Sequence, residues 1–235
     1  MLVTSRPLDE YCGFFGLTRA ALRALPGPVL DCPGGAAGVV AEARVLGCRV
    51  LAVDPAYAVP GTELLAGAEA ARWTMARAMP AAPARYLGPR HLPYEKYLRS
   101  WDRARRLFAA DRAAHPGDYL AAALPRLPFA DGTFALTLSS YLLFAYPERF
   151  SAADQLAALL ELVRVTAPQA EVLVHPLHDA LSRRSPRLPL LREELGRRGV
   201  HSELRTVRAP GDGRRRYVLA LTRHHRYRAV PWMNT

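Results

Sequence analysis

The stretch that decides the fold is residues 29–54, VLDCPGGAAGVVAEARVLGCRVLAVD. It begins with a short apolar run, turns at residues 33–35, continues with apolar residues at a helical period, and ends in a second apolar run that reaches Asp54. Short apolar runs on either side of an amphipathic helix are typical of two buried parallel strands joined by a crossover. The right-handed crossover brings both strand ends to the same edge of the sheet.

The glycines of this turn allow a partner to approach the backbone closely. Gly34 and Gly35 directly follow the first predicted strand, at positions where a Cβ would collide with a bound ligand. Gly38 falls inside the predicted helix, where glycine costs about 1 kcal/mol relative to alanine, so we expect it to pack closely against the strand or the ligand. The turn is not G-x-G-x-x-G, and Pro33 lacks an N–H group that a pyrophosphate would use, which disfavours a dinucleotide.

Each of the two predicted strands ends in an acid. Asp54 is placed to accept hydrogen bonds from the vicinal hydroxyls of a ribose, and the alternative is that it caps the next helix. Asp31 puts a negative charge beside the turn, which suits a cationic amino-acid group better than a phosphate. The two acids together indicate a ligand in which a nucleoside is joined to an amino acid.

Strands and helices alternate along the rest of the chain. This pattern predicts one α/β domain over residues 1–235, with a doubly wound, mostly parallel sheet that ends in an antiparallel hairpin. A helical insertion over residues 60–117 interrupts the alternation. Further strands are predicted at 118–124, 133–144 and 170–177, and helices are predicted to begin after the N-cap residues Ser151 and Ser185.

The turn D-C-P-G-G-A-A-G resembles the glycine turn of the class I S-adenosylmethionine-dependent methyltransferases, in which three alternating glycines follow an acid. Gly35 stands at the central glycine. The segment LPFADGTFALTLSSYLLF (127–144) is similar to the family segment that leads into the fourth strand. The resemblance implies a seven-stranded Rossmann-like sheet and S-adenosyl-L-methionine as the cofactor.

By position, the resemblance implies a set of cofactor-binding residues. Asp31, Gly34 and Gly35 would bracket the methionine portion, and Asp54 would hold the ribose. Tyr11 belongs to an N-terminal segment that in this family often folds over the cofactor. The remaining implied contacts are Ala123 and Leu124 along the adenine, and Ser139 and Ser140 beside the methyl group.

Methyl transfer from a sulfonium is an in-line displacement, which a protein accelerates largely by alignment and by excluding water. Tyr141 is a candidate for orienting the acceptor. His175 and His178 are candidate general bases, because a neutral imidazole takes up a proton near physiological pH. Each of these side chains could equally belong to the apolar core or to the surface. The candidate acceptor-binding residues in the insertion are Tyr94, Tyr97 and Trp101.

The formal net charge of +11 comes almost entirely from arginine, since Lys96 is the only lysine. Residues 182–228 contain fourteen arginines and four acids, and this region would attract a nucleic acid or another anionic partner. The cysteines lack metal-ligand spacing, so we expect neither a disulfide nor a metal site. No apolar run is long enough to span a membrane, and we expect a cytoplasmic protein without a membrane partner.

Three functions are compatible with these patterns. The first is a methyltransferase that acts on a small or medium-sized acceptor by N- or O-methylation. The second is an RNA methyltransferase that uses the arginine-rich C-terminal region, although no N-P-P-Y-like tetrad follows the fourth strand. The third is a non-catalytic binding or scaffold protein, which is suggested by Pro33 and Ala37 at the flanking glycine positions of the turn.

Overall fold

The computed structural model of the protein describes residues 3–81, 94–179, 183–208 and 215–223. The strands are β1 (Val29–Asp31), β2 (Val50–Val53), β3 (Tyr119–Leu120), β4 (Phe134–Ser140), β5 (Thr166–His175), β6 (Val200–Arg208) and β7 (Arg215–Arg223). They form one sheet in the spatial order β3-β2-β1-β4-β5-β7-β6. The first five are parallel, and β7 is antiparallel to both β5 and β6. The predicted mostly parallel seven-stranded sheet is confirmed.

Helices cover both faces of this sheet. The described α-helices are α1 (Leu8–Phe15), α2 (Arg19–Arg23), α3 (Val39–Val45), α4 (Gly61–Ala81), α5 (Tyr94–Ala114), α6 (Ala152–Val165) and α7 (Leu188–Arg197). One apolar core joins α1 and α3 to the face that carries Val29 and Leu138, and a second joins α6 and α7 to the face that carries Leu30. A sheet with a packed helical layer on each face is a doubly wound architecture.

The glycine turn joins β1 to α3, as the sequence predicts. The register places Asp31 beside Ala52 of β2 and Leu138 of β4, so the end of β1 lies in the middle of the sheet edge. Gly38 is not inside a helix, because it is the N-cap of α3. The Cα of Ala104 in α5 would lie 3.1 Å from a Cβ on Gly38. The predicted close packing at this glycine is therefore made with another helix.

Residues 60–117, which the sequence predicts to be a helical insertion, contain α4 and α5. Two ion pairs of Arg44 attach α3 to this region and to the residue that follows it. Arg44 donates to Asp111 of α5 over 2.9 Å and to Asp118 over 2.8 Å. Residues 82–93 between the two helices lie outside the described parts of the chain.

Strand β4 is shorter than the sequence predicts. It ends at Ser140, and Tyr141 has a left-handed backbone conformation with φ of 51°. The Tyr141 N–H donates to the His175 carbonyl over 2.7 Å. The prediction of one strand over 133–144 is wrong after residue 140, because this conformation turns the chain out of the strand.

Two predicted helix starts have different outcomes. Ser151 and Asp154 form the predicted capping box at the start of α6, in which each side chain accepts from the backbone N–H of the other. The prediction that Ser185 caps the next helix is wrong. The Ser185 N–H donates to the Leu177 carbonyl, and the helix begins only at Leu188.

The antiparallel hairpin at the end of the sheet is confirmed. Strands β6 and β7 pair from Val200 with Arg223 to Arg208 with Arg215. The connecting residues 209–214, which include the predicted PGDG turn, lie outside the described residues. Among the described helices, none has the length and apolar character that crossing a membrane requires.

Candidate functional site

Asp31 lies at the carboxyl end of β1 and is the most unusual polar residue of the sheet edge. The residue is 1% exposed, and within the described ranges neither carboxylate oxygen has a hydrogen bond of ordinary geometry. Burial raises the pKa of Asp31 well above its ordinary value, the neighbouring Tyr11 hydroxyl opposes this shift, and the charge of Asp54 adds to it. Because buried carboxylates normally have partners, Asp31 indicates a cationic or hydrogen-bond-donating ligand at this point.

Asp54, the second acid of the edge, has protein partners. One carboxylate oxygen accepts from the Gly35 N–H and the other from the Ala56 N–H, each over 2.9 Å. Asp54 is thereby the N-cap of the 3-10 helix Pro55–Ala58, which is the alternative role considered for it from the sequence. Burial raises the pKa of Asp54, and these two backbone hydrogen bonds oppose the shift.

The backbone amides of the glycine turn are all satisfied within the protein. The Gly34 N–H donates to the Val53 carbonyl, and the Gly35 N–H donates to Asp54. The next amides donate to the carbonyls of Thr4, Gly34 and Arg6, and the donors are Ala36, Ala37 and Gly38 in that order. The turn offers no unpaired amide to a ligand between residues 34 and 38.

The space at the two glycines is also occupied by the chain. A Cβ on Gly34 would lie 2.4 Å from the Tyr57 hydroxyl oxygen and 2.8 Å from the Ala52 Cβ. The same Tyr57 hydroxyl donates to the Gly35 carbonyl over 2.8 Å. Gly35 has a φ of +55°, and a Cβ there would lie 3.1 Å from the Thr4 carbonyl oxygen. Glycine is required here by internal packing and by backbone conformation.

Tyr11 of α1 covers the end of the central strands. Its side chain is 2% exposed, and its hydroxyl accepts a hydrogen bond from the Ser140 hydroxyl over 3.0 Å. Side chains alternate along a strand, so Ser139 lies on the opposite face of the sheet from Ser140. The Ser139 hydroxyl is buried there, and no described residue forms a hydrogen bond with it. Of the two predicted serines, only Ser140 lies on the same face as Tyr11.

His175 is packed beneath aromatic residues at the end of β5. Its ring stacks on Phe14 with centroids 4.9 Å apart, and its Nδ1 lies 3.1 Å from the Tyr217 carbonyl oxygen, to which it donates. Burial lowers the pKa of His175 to about 3, against the opposing effect of the Tyr217 hydrogen bond. A neutral, buried imidazole of this kind is a weak proton acceptor, so the site does not favour His175 as a general base.

His178 differs from His175 in being partly exposed. Its Nδ1 lies 3.0 Å from the Asp179 carbonyl oxygen, and its ring centroid lies 6.4 Å from that of His175. Tyr141 lies nearby at the same edge, with its ring centroid 5.8 Å from His175.

The predicted acceptor residues of the insertion meet the N-terminal helix. Trp101 is 1% exposed and donates through Nε1 to Glu10 over 3.1 Å, and the Tyr97 hydroxyl donates to the same carboxylate. Tyr94 packs against Leu98 in a small apolar cluster that also contains Trp101. The predicted adenine contacts, Ala123 and Leu124, are exposed and partly exposed in the loop after β3.

The sequence gives weak signals for several residues of this site. Arg6 and Glu10 form an ion pair against the sheet edge, Thr4 contacts the glycine turn, and Tyr57 covers Gly34. Arg6 and Glu10 are separated by four residues, which on a helix predicts only a local pair, and nothing in their spacing indicates a contact with residues 97–141.

The described residues contain no group of His, Cys, Asp or Glu that would hold a metal ion.

No family model matches the chain, and no curated protein matches it. Similar solved structures include the Burkholderia thailandensis 1,6-didemethyltoxoflavin-N1-methyltransferase with bound S-adenosylhomocysteine, at 15% identity over 88% of this chain and 76% of that chain, TM-score 0.47. Another is magnesium protoporphyrin IX methyltransferase from Synechocystis PCC 6803 with bound SAM, at 13% identity over 92% and 77%, TM-score 0.45. A third is a 16S rRNA adenine-N1 methyltransferase variant from Catenulisporales acidiphilia, at 15% identity over 89% and 91%, TM-score 0.44. Their names give three different acceptors.

Proposed function

We propose that the protein is an S-adenosylmethionine-dependent methyltransferase that acts on a small or medium-sized acceptor. The observation that carries this proposal is the buried carboxylate of Asp31 at the end of β1, which has the Tyr11 hydroxyl beside it but no cationic partner among the described residues. S-adenosylmethionine has an ammonium and a sulfonium, and either positive group would compensate a buried negative charge. A phosphorylated cofactor would add repulsion at the same place.

The residues at the sheet edge fit this cofactor through their acids. Asp31 has both oxygens available for the amino-acid end. Each Asp54 oxygen accepts one backbone hydrogen bond, and a carboxylate has about four acceptor positions, so capacity remains for a ribose diol. The paired amides of the glycine turn provide no donors, which argues further against a pyrophosphate.

When bound, the cofactor supplies an electrophilic methyl group. The residues of this chain would align the acceptor and exclude water, with Tyr11 closing one side and Tyr141 facing the acceptor. The left-handed conformation of Tyr141 is a costly backbone state for a non-glycine residue, and such states are frequent at functional sites. An acceptor that must lose a proton has His178 as its nearest partly exposed imidazole, with His175 buried behind it.

Asp54→Ala tests the cofactor site. We expect at least about tenfold weaker binding of S-adenosylmethionine and S-adenosylhomocysteine, since hydrogen bonds to a charged group contribute about 1.5–3 kcal/mol. Isothermal titration calorimetry measures the dissociation constants. Asp131→Ala is the matched control, because that carboxylate is 69% exposed and pairs with Arg164 far from the turn. An unchanged dissociation constant for Asp54→Ala would remove the ribose assignment.

The binding experiment also separates the methyltransferase from the scaffold alternative. If neither S-adenosylmethionine nor S-adenosylhomocysteine binds the wild-type protein at millimolar concentration, the fold serves as a non-catalytic binding or scaffold protein. The paired amides of the turn and the Tyr57 hydroxyl next to Gly34 would then explain why the cofactor does not bind.

RNA is the less favoured acceptor, because many C-terminal arginines have partners within the protein. Arginines that form ion pairs with nearby acids are Arg183, Arg197, Arg198 and Arg205. Arginines that donate to backbone carbonyls are Arg187, Arg192 and Arg223. Guanidinium groups held in this way are less available to phosphates. Filter binding at moderate salt measures RNA affinity, and tight salt-dependent binding would reverse this ranking.

A further inference from the structure

A buried guanidinium lies among aromatic rings at the acceptor side of the sheet edge. Arg6 is 7% exposed, and its guanidinium carbon lies 4.0 Å from the ring centroid of Tyr141, 4.9 Å from that of Trp101 and 5.3 Å from that of Phe14. We call these four residues together with Glu10 and Tyr97 the Arg6 cluster. It joins the N-terminal helix α1 and the residues before it, the insertion helix α5, and Tyr141, the residue that follows β4.

The hydrogen bonds of the Arg6 cluster leave one donor of the arginine unmatched. Glu10 accepts from Arg6, from the Tyr97 hydroxyl and from the Trp101 indole N–H. Three donors therefore share the only carboxylate of the cluster. The Arg6 Nε is buried and has no hydrogen-bond partner among the described residues. A buried charged donor without an acceptor is costly, so this N–H group indicates a position for an acceptor atom.

Charges of both signs surround Tyr141. Burial raises the pKa of Tyr141, whereas Arg6 and Arg216 lower it and Glu10 raises it. Two positive side chains and one carboxylate thus act on this ring. The Tyr141 and Tyr97 side chains are partly exposed, so the cluster reaches the protein surface at two of its rings.

From these contacts we propose that the acceptor is a planar aromatic acid, whose anionic oxygen accepts a hydrogen bond from the Arg6 Nε. This inference rests on the proposed methyltransferase function and adds the chemical class of its acceptor. A guanidinium recognises an oxyanion by charge-assisted hydrogen bonding, and neighbouring aromatic rings favour a flat partner. Arg6 then selects the acceptor, and Glu10 holds the guanidinium in position.

Calorimetric titration with two flat probes of almost equal shape tests this site. Salicylate carries a carboxylate, and salicylamide has a neutral amide in its place. In the full-length protein with saturating S-adenosylhomocysteine, we expect salicylate to bind at least about tenfold more tightly than salicylamide. Equal affinities, or tighter binding of the amide, would overturn the proposal.

Three variants show whether Arg6 causes the preference. Arg6→Gln should remove it, and Arg6→Lys should weaken it strongly, because lysine keeps the charge but lacks Nε. Arg49→Gln is the control, since that side chain is 68% exposed and lies at the start of β2. A preference that survives both Arg6 variants would place the acid elsewhere and refute the proposal.

Titration of S-adenosylhomocysteine alone into the same preparations reports on the proposed function separately. If it binds and the probes show no acid preference, only the acceptor class is refuted. If it does not bind and salicylate is still preferred through Arg6, the acid site stands and the methyltransferase proposal fails. Retained S-adenosylhomocysteine binding in the Arg6 variants also shows that they are folded.

Discussion

The glycine turn and the end of β1 are neighbours in the chain, but their polar groups are satisfied in opposite ways. Every amide from Gly34 to Gly38 donates to an acceptor of the protein itself. The carboxylate of Asp31, three residues before Gly34, is almost fully buried, and within the described parts of the chain it has only the Tyr11 hydroxyl beside it and no hydrogen bond of ordinary geometry. A ligand at this edge would therefore find a negative charge to compensate and no amides to receive its own oxygens.

The glycine turn and Asp31 therefore have different roles at the site: the turn sets the backbone geometry, and Asp31 sets which ligand charge is preferred. The glycines allow Tyr57 and the Thr4 backbone to pack against the turn, which fixes the geometry of the edge. Asp31 supplies the unmatched charge that would select a cationic ligand. A sequence motif rich in glycine can thus be retained for packing, while an adjacent acid gives the site its chemical preference.

The sharpest test of the comparison is Asp31→Asn. We expect about 100-fold weaker binding of S-adenosylhomocysteine, because a charge-assisted contact is lost. We also expect the variant to be more stable than the wild type, since it removes a buried charge. Calorimetry and thermal unfolding measure the two effects. A variant that binds normally would show that the turn, and not the strand end, holds the ligand.

The pH dependence of the same variant gives an independent check. The pKa of Asp31 is raised in the folded protein, so its stabilising contribution is complete below its ordinary pKa and is lost as the pH rises through the raised value. The stability advantage of Asp31→Asn should therefore grow as the pH is increased from acid to neutral. An advantage that is constant with pH would mean that Asp31 is not buried as an unpaired acid.

Gly34→Ala tests whether the glycine turn is required for internal packing. A Cβ at this position would approach the Tyr57 hydroxyl and the Ala52 Cβ, so we expect about 2 kcal/mol of destabilisation from overpacking. The control is Gly67→Ala, because Gly67 lies on α4 with nothing within 4 Å of its Cβ position. That change should stabilise the protein by about 0.5–1 kcal/mol. Denaturant unfolding compares both, and equal effects would contradict a special role for the turn.

The smallest expected effect concerns His175, at the far side of the same edge. Its pKa is lowered to about 3 by burial, so its contribution to stability is complete above its ordinary pKa and is lost as the pH falls. His175→Leu should reduce the loss of stability between pH 7 and pH 5.5 by about 1 kcal/mol. Urea unfolding at several pH values measures this. If the free energy of unfolding varies with pH in the same way in the variant and the wild type, the His175 imidazole is solvated.

Local patterns predicted the parts of the fold that depend on few residues. Ser151 and Asp154 form the predicted capping box because both partners belong to one helical turn. The alternation at residues 29–54 predicted β1, α3 and β2, because burial on two faces requires apolar strands. Ser185 was predicted wrongly as a helix cap, since its N–H pairs with the Leu177 carbonyl and the N-cap of the helix is Arg187.

The candidate site was only partly predictable. Asp31 and Asp54 are recognisable because strand ends and acids are both visible in the sequence. Arg6 and Glu10 are not, since their importance depends on Trp101, about ninety residues away, folding against them. Whether Asp54 holds a ligand or caps a helix also depends on where the Gly35 and Ala56 amides point.

The sequence by itself determined the order of strands and helices, the position of the glycine turn and the two acids at the sheet edge. These features follow from apolar periodicity and from the limits on backbone conformation, which act over a few neighbouring residues. Only the tertiary structure decided which polar groups are paired. Pairing depends on distances between segments far apart in the chain, and in the part of the chain that the structure describes it left the Asp31 oxygens and the Arg6 Nε without a hydrogen bond of ordinary geometry.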